Sequence, residues 1–386
     1  VEPARVSVHA IDPQGHPHVP QKTPLYSAYL ARNATMRDAA GYFTPAFFTD
    51  PREEHIATRE AAGLFEIFGQ FLLEIAGPGA IEFLNANLVA EFTSLADGKV
   101  IYTSILTETG GMLDDLTVFR VHANRFWVVP APHRIDLIEA LLAKRAPADV
   151  QVLSLGYKYT SLSLQGPNSR AILAELTDVD LSTAALPGFS FTIGDLAGFA
   201  DTVISRTGFT GELGYELFIR TERVEEVYDR LLEVGADHGL KPCGVASLMS
   251  LRIEKRFPVY GRDLNDTMTP IEAGLGWTVR PKDADYPGKA AVERQKTEGA
   301  ATQMVLLRLA PDAEITVAGE PVTVAGAKVG HVTSAHFGHT VGHPLAIAHI
   351  ASAHAKEGAE VIIDGQSPAT VHPKAIYDPR SSRSRV

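Results

Sequence analysis

Two neighbouring carboxylates, Asp114 and Asp115, follow a glycine pair in the stretch YTSILTETGGMLDDLTVFR, residues 102–120. Gly110 and Gly111 have the freedom in φ that a tight turn needs, and Leu113, Leu116, Val118 and Phe119 supply the apolar content of a buried strand. The pattern predicts strand, hairpin turn, strand. Adjacent side chains of a strand point to opposite faces, so one aspartate can enter a cavity while the other meets solvent or a turn amide. A carboxylate held in a cavity can stabilise a developing cation or move a proton. Taken alone, the pair also reads as turn chemistry, because aspartate caps turns through its own side chain.

A second acidic pair, Glu212 and Glu216, lies in VISRTGFTGELGYELFI, residues 203–219. Gly208, Gly211 and Gly214 would let backbone approach a ligand closely, and two residues four apart share a face if the segment is extended. A carboxylate here can accept two parallel hydrogen bonds from a planar N–C–N donor such as a guanidinium or a pterin ring. The simpler reading is a glycine-rich hairpin with solvated glutamates. A third group sits on a helix expected over 247–255, where Leu248, Met249 and Leu251 turn inward and leave Arg252 and Glu254 toward the following loop.

The elements that must position these groups are legible from periodicity and caps. Asp50 and Gly63 bound a helix over 50–62, and GLFEIFGQFLLEIAGPGA reads as a strand pair, or one strand with a bulge at Gly69. Helices are expected over 80–88, over 134–142 with Ile135, Ile138, Leu141 and Leu142 on one side, and over 224–238. RFWVVP, residues 125–130, is a strand. Residues 158–176 read as strand, turn and a helix capped by Asn168. The order strand, small–Gly–Pro, helix recurs about ninety residues apart, which suggests two related α+β units.

Composition sets the outer limits. A chain of 386 residues with 45% hydrophobic and 21% charged residues has ordinary globular values and is long enough for two or three domains. Its net charge of −11 argues against a general nucleic-acid or anionic-membrane binder. The single cysteine, Cys243, excludes an intrachain disulfide and a cysteine zinc cluster. With no long apolar run and no basic-then-apolar leader in sight, the expectation is a soluble cytoplasmic protein. Residues 1–22, rich in proline and histidine, read as an arm on the surface or against another subunit. His16 and His18 flank Pro17, a lone pair of the kind that seldom makes a site, and the histidines at 331, 336, 339, 343 and 349 lie in glycine-rich strands, so neither set is expected to hold a metal.

Eight segments, in order, carry a family resemblance: TPLY with a later MRDAAGY, REEHIATREAAGLFEI, YTSILTETGGMLDD, LSLQGPNS, RTGFTGELGYE, KPCGVASLMSLRIEK, TPIEAGLGW and GHVTSAHFGHTVG. The chain resembles the glycine-cleavage-system T-protein family, the folate-dependent aminomethyltransferases and their demethylase relatives. That resemblance implies an α+β fold, a three-domain cloverleaf around a central channel for tetrahydrofolate, with a C-terminal β-barrel-like domain. It divides the chain into the arm, a discontinuous folate-binding unit (23–60 and 155–278), a second α+β unit (61–154) and a β-rich unit (279–386). It makes Asp115 the catalytic aspartate, Glu216 the pterin-binding glutamate, Arg252 the folate-binding arginine, and Tyr102 and Trp277 aromatic walls of the channel. The implied partner is a small one-carbon donor.

Departures from the family pattern concentrate on the substrate side. The family's FDVSHMG reads FEIFGQF, with Phe68 and Gly69 in place of the serine–histidine pair, and Pro130 stands where the family has asparagine. Leu248 replaces an aspartate and Lys255 an alanine. The run LRIEKRFPVYGRDL is more similar to the folate domains of sarcosine and dimethylglycine dehydrogenases and to demethylases, which implies a donor other than the aminomethyl-lipoyl arm. A non-catalytic folate-binding protein of the same fold is the alternative, but its KGCYxGQE signature is absent and Cys243 sits in KPCGV instead.

Overall fold

Asp50 caps the helix that carries Arg59. Its carboxylate accepts from the amides of Arg52 at 2.9 Å and Glu53 at 3.2 Å, Pro51 takes the first helical position, and the helix runs Pro51–Glu60. The computed structural model describes residues 20–39, 41–67 and 69–386. Of the expected arm, Gln21–Lys22 form a short strand parallel to Tyr42–Phe43. His16 and His18 lie outside the described residues.

Two sheets carry the candidate site. The larger has six strands in the order Phe191–Leu196, Phe199–Ser205, Gly214–Arg220, Tyr159–Gln165, Ala62–Glu66, Leu240–Pro242. One of its faces buries Leu64, Leu162, Leu164, Leu217 and Ile219 against the helices Tyr26–Ala31 and Val224–Gly235, through Tyr29, Tyr228 and Leu231. The smaller has five strands in the order Val100–Leu106, Met112–His122, Arg125–Val129, Leu73–Ala76, Gln151–Ser154. Its outer face packs on the helices Ala80–Asn87 and Ile135–Arg145 through Ile75, Leu84, Ile105, Leu116, Val118, Ile138 and Leu142.

The inner faces meet. Val100, Phe119, Trp127 and Val129 of the smaller sheet pack on Tyr159, Phe191, Val203 and Phe218 of the larger, with the Phe119 and Phe218 rings edge-on at 5.7 Å. This apolar floor fixes which faces of the two sheets look at each other. The C-terminal third closes into a six-stranded barrel, as expected, around Val305, Leu307, Ala348, Ile350, Val361 and Val371.

Several local expectations change. Ala62–Glu66 and Leu73–Ala76 are neither a pair nor one bulged strand: each joins a different sheet. In the hairpin turn only Gly110 has positive φ (+92°), while Gly111 is needed for room, since a Cβ there would lie 1.6 Å from the Asp266 carbonyl oxygen. Asn168 does not cap its helix with its side chain, and its amide donates instead to the His238 carbonyl at 2.9 Å. Among the described residues no helix is long and apolar enough to cross a membrane.

A buried guanidinium ties these parts together. Arg59 bonds Glu212 at 2.8 Å and Glu254 at 2.8 Å, and also the carbonyls of Thr210 and Leu251. Glu254 in turn accepts the amides of Thr340 and Val341 from the barrel. Glu212 also accepts from Tyr377 at 2.7 Å and Arg383 at 2.6 Å near the C-terminus. Arg59→Met would strand two buried carboxylates, which should cost about 3–5 kcal/mol. Urea unfolding measures it; a loss below about 1 kcal/mol would contradict the role given to this pair.

Candidate active site

Asp114 and Asp115 stand on the strand Met112–His122, opposite Ile105 and Ser104. Alternation sends them apart. Asp114 shares its face with Leu116 and Val118 and is 0% exposed under the sheet, where its carboxylate accepts the Ala131 amide at 3.0 Å. Its second oxygen has no partner. Burial, with the charge of Asp115 added, pushes its pKa up to about 8. At neutral pH it is mostly a neutral acid.

Asp115 is four residues from Phe119 on the same strand, so it points to the inner face. It is partly buried, and Tyr102, two residues along from Ser104, donates its hydroxyl to Asp115 Oδ2 at 2.5 Å. Burial raises its pKa to about 6; the Tyr102 bond lowers it and the charge of Asp263 raises it. Tyr102 stacks on Trp277, with centroids 5.7 Å apart and planes 27° from parallel. Trp277 is 61% exposed. A carboxylate with one oxygen held and the other free, beside an aromatic wall, suits an electrostatic partner for a planar cationic group.

Glu216 comes from the facing sheet. It is two residues before Phe218 on the strand Gly214–Arg220, so it too points to the inner face, opposite Ser163 and Ser205. Burial raises its pKa, against the Thr207 hydroxyl that donates to its carboxylate and the nearby Gln70 side chain. Glu212 is elsewhere. It lies in the loop before the strand, held by Arg59, Arg383 and Tyr377, and shares no face with Glu216. Nor are the three glycines open to a ligand. A Cβ at Gly208 or Gly214 would meet the Gln165 side chain at 2.2 and 2.3 Å, and Gly211 (φ +85°) is covered by the Lys255 side chain at 2.5 Å.

Arg252 and Glu254, expected toward a loop, are both buried on the helix Val245–Glu254. Arg252 is 0% exposed and pairs through one nitrogen with Asp263 at 2.7 Å and the Phe257 carbonyl at 3.0 Å. Its Nε and second terminal nitrogen have no partner. Asp263 links it to the first carboxylate, since the same charge that holds Arg252 raises the pKa of Asp115.

The facing inner surfaces are therefore apolar where the two sheets pack and polar beyond that contact. Ser104 Oγ, cross-strand from Asp115, Ser161 Oγ, on the face of Glu216, and Gln70 Oε1 are buried there without partners. Unsatisfied buried groups in one place are what a polar ligand would satisfy. Sequence reasoning missed Gln70, Ser104, Thr207 and Asp263. The alternation that placed Asp115 would have found Ser104; Gln70 carried no signal apart from its departure from the family pattern. Among the described residues no three His, Cys, Asp or Glu side chains are grouped to hold a metal.

Two N-terminal sheets packed face to face and a C-terminal barrel define a glycine-cleavage T-protein architecture. Residues 25–283 match the GCVT N-terminal domain and residues 303–378 the glycine cleavage T-protein C-terminal barrel domain. The aminomethyltransferase of Anoxybacillus flavithermus is 35% identical over 345 residues, 89% of this chain and 94% of that protein. That of Streptomyces coelicolor is 37% identical, over 88% and 92%. The crystal structure of the glycine cleavage system aminomethyltransferase T from Bartonella henselae superposes with a TM-score of 0.84 at 30% identity, covering 94% of this chain and 99% of that one. The chain belongs to the glycine cleavage T-protein family.

Asp114 gives a stability test. Its folded pKa of about 8 lies above an unfolded value near 3.9, so the folded state holds a proton that the unfolded chain releases. Its contribution is complete below about pH 4 and is lost as pH rises toward 8. Asp114→Asn cannot ionise, so its melting temperature relative to wild type should rise between about pH 4 and pH 8 and level off above that. A constant difference across that range would contradict the burial argument.

Proposed function

We propose that the protein transfers a one-carbon unit, as methyl or methylene, from a small methylated or aminomethyl donor to tetrahydrofolate bound between the two sheets. The observation that carries this reading is the convergence of Asp115 and Glu216 on facing inner faces, above a shared apolar floor and among buried polar atoms without partners. These residues fit a tetrahydropterin: flat and apolar on its faces, rich in N–H donors at its edge. Bound tetrahydrofolate supplies the nitrogen that accepts the carbon. Family membership supports a transferase of the aminomethyltransferase class.

Within that reading each side chain has a distinct task. Glu216 accepts from the N–C–N edge of the pterin, a pairing that orients the ring. Asp115, its Oδ2 held by Tyr102, places negative charge where nitrogen becomes cationic and can take the proton that nitrogen loses. Trp277 and Tyr102 form the aromatic wall. Arg252 is assigned to folate through its two unpartnered N–H groups, which suit a carbonyl or carboxylate.

The donor differs from a lipoyl-bound aminomethyl group in this proposal. Pro130 is buried at the end of the strand Arg125–Val129 and offers neither the amide side chain of the family asparagine nor a backbone N–H. Leu248 packs with Phe65, Cys243 and Leu251 where the family has aspartate. Two polar handles on the substrate side are thus replaced by apolar contacts. Small N-, S- or O-methyl compounds and secondary amines are the class to screen, reading methyl- or methylene-tetrahydrofolate by mass spectrometry.

Two variants separate binding from chemistry. Glu216→Ala should weaken tetrahydrofolate binding in isothermal titration by about 1.5–3 kcal/mol, the range for a hydrogen bond to a charged group. Asp115→Asn should leave that affinity within a few-fold while turnover falls about a hundredfold or more. Ionised Asp115 is the active form, so turnover should rise with pH through an apparent pKa near the group's about 6, and Tyr102→Phe should move that limb to higher pH. An unmoved limb, or full activity in Asp115→Asn, would remove Asp115 from the mechanism.

A further inference from the structure

Gln70 is held in the crossover between the two sheets. Gly69, at φ +87°, has no room for a side chain, since a Cβ there would lie 2.7 Å from Pro132 Cβ. Phe71 and Leu72 are buried immediately after it, and the Phe71 ring meets Tyr157 edge-on at 4.8 Å. The backbone on both sides of Gln70 is therefore fixed by packing. Its side chain approaches the Glu216 carboxylate and lowers that group's pKa. A carboxylate only accepts, so the Gln70 amide turns its nitrogen toward Glu216 and its oxygen away. That oxygen is buried and has no partner.

A bare buried acceptor has given up water without gaining a partner, which is unfavourable. Here it stands beside a second acceptor, Glu216, to which Thr207 donates. Two adjacent acceptors call for a ligand edge with two adjacent donors. A carbonyl or phosphate edge would face repulsion from both oxygens.

We propose that Gln70 is a second reader of the pterin edge: Glu216 and the Gln70 side-chain oxygen together accept from the 2-amino group and its neighbouring ring N–H. The assignment rests on the folate reading above and deepens it. It makes the crossover residue a determinant of specificity toward pyrimidine rings that carry an amino group between two nitrogens. The Gln70 amide nitrogen meanwhile keeps Glu216 turned toward the same edge.

The test is isothermal titration of the full chain with tetrahydrofolate and with its 2-desamino analogue, comparing wild type with Gln70→Met, a side chain of similar length with no acceptor. Wild type should prefer tetrahydrofolate at least about tenfold. Gln70→Met should weaken tetrahydrofolate by about tenfold or more, change the analogue less than about threefold, and so erase most of the preference. Gln70→Leu repeats the measurement if the Met variant does not fold. Equal weakening of both ligands would show that Gln70 only props Glu216 and would overturn the proposal, as would unchanged affinity for both. If wild type binds neither ligand, the folate reading itself fails, an outcome distinct from either of these.

Discussion

The Arg59 guanidinium, buried between Glu212 and Glu254, is the contact on which the arrangement depends. It joins the first long helix, the loop entering the Glu216 strand, the helix bearing Arg252, and the barrel through Glu254. Two carboxylates and one guanidinium in low dielectric are stable only if every oxygen and N–H finds a partner. Thr340, Val341, Tyr377 and Arg383 complete that set. Glu212 is consumed by this framework, whereas Glu216, four residues later, is not part of it and points to the inner face.

With the sheets locked in place, period-two alternation distributes the chemistry. Phe119 and Phe218 meet between the sheets, so residues an even number of positions away along each strand also face that space. Asp115 and Glu216 satisfy this condition, and Asp114 does not. The two aspartates then differ in role because they differ in surroundings. Asp114, bonded to one amide under an apolar face, is neutral and structural, whereas Asp115, bonded to Tyr102 and open to the gap, ionises near pH 6. Neighbours in sequence are thereby held at different protonation states by the surroundings the pleat gives each, with the charge of Asp115 adding to the shift of Asp114.

Much of this was legible in the sequence. The hairpin around Gly110, the Asp50-capped helix and one inward aspartate of the pair follow from turn chemistry, capping and alternation; the choice of Asp115 and the barrel follow from the resemblance. What escaped was long-range. No local pattern tells that Glu212 would be claimed by Arg59, that the glycines at 208, 211 and 214 make room for Gln165 and Lys255, or that Ala62–Glu66 and Leu73–Ala76 would part into different sheets. Each depends on a partner more than forty residues away or on a register that short apolar runs leave open. Arg252 was singled out by type, yet its burial against Asp263 appears only in three dimensions.

The central claim is that a pterin lies between the two inner faces with its edge on Glu216 and its reactive nitrogen toward Asp115. A crystal structure of the complex with tetrahydrofolate tests it most directly. The account predicts the amino-pyrimidine edge within hydrogen-bond distance of Glu216 and the reactive nitrogen nearer to Asp115 than to Asp114. A pterin bound outside the inter-sheet space, or inside it with the edge turned away from Glu216, would contradict it.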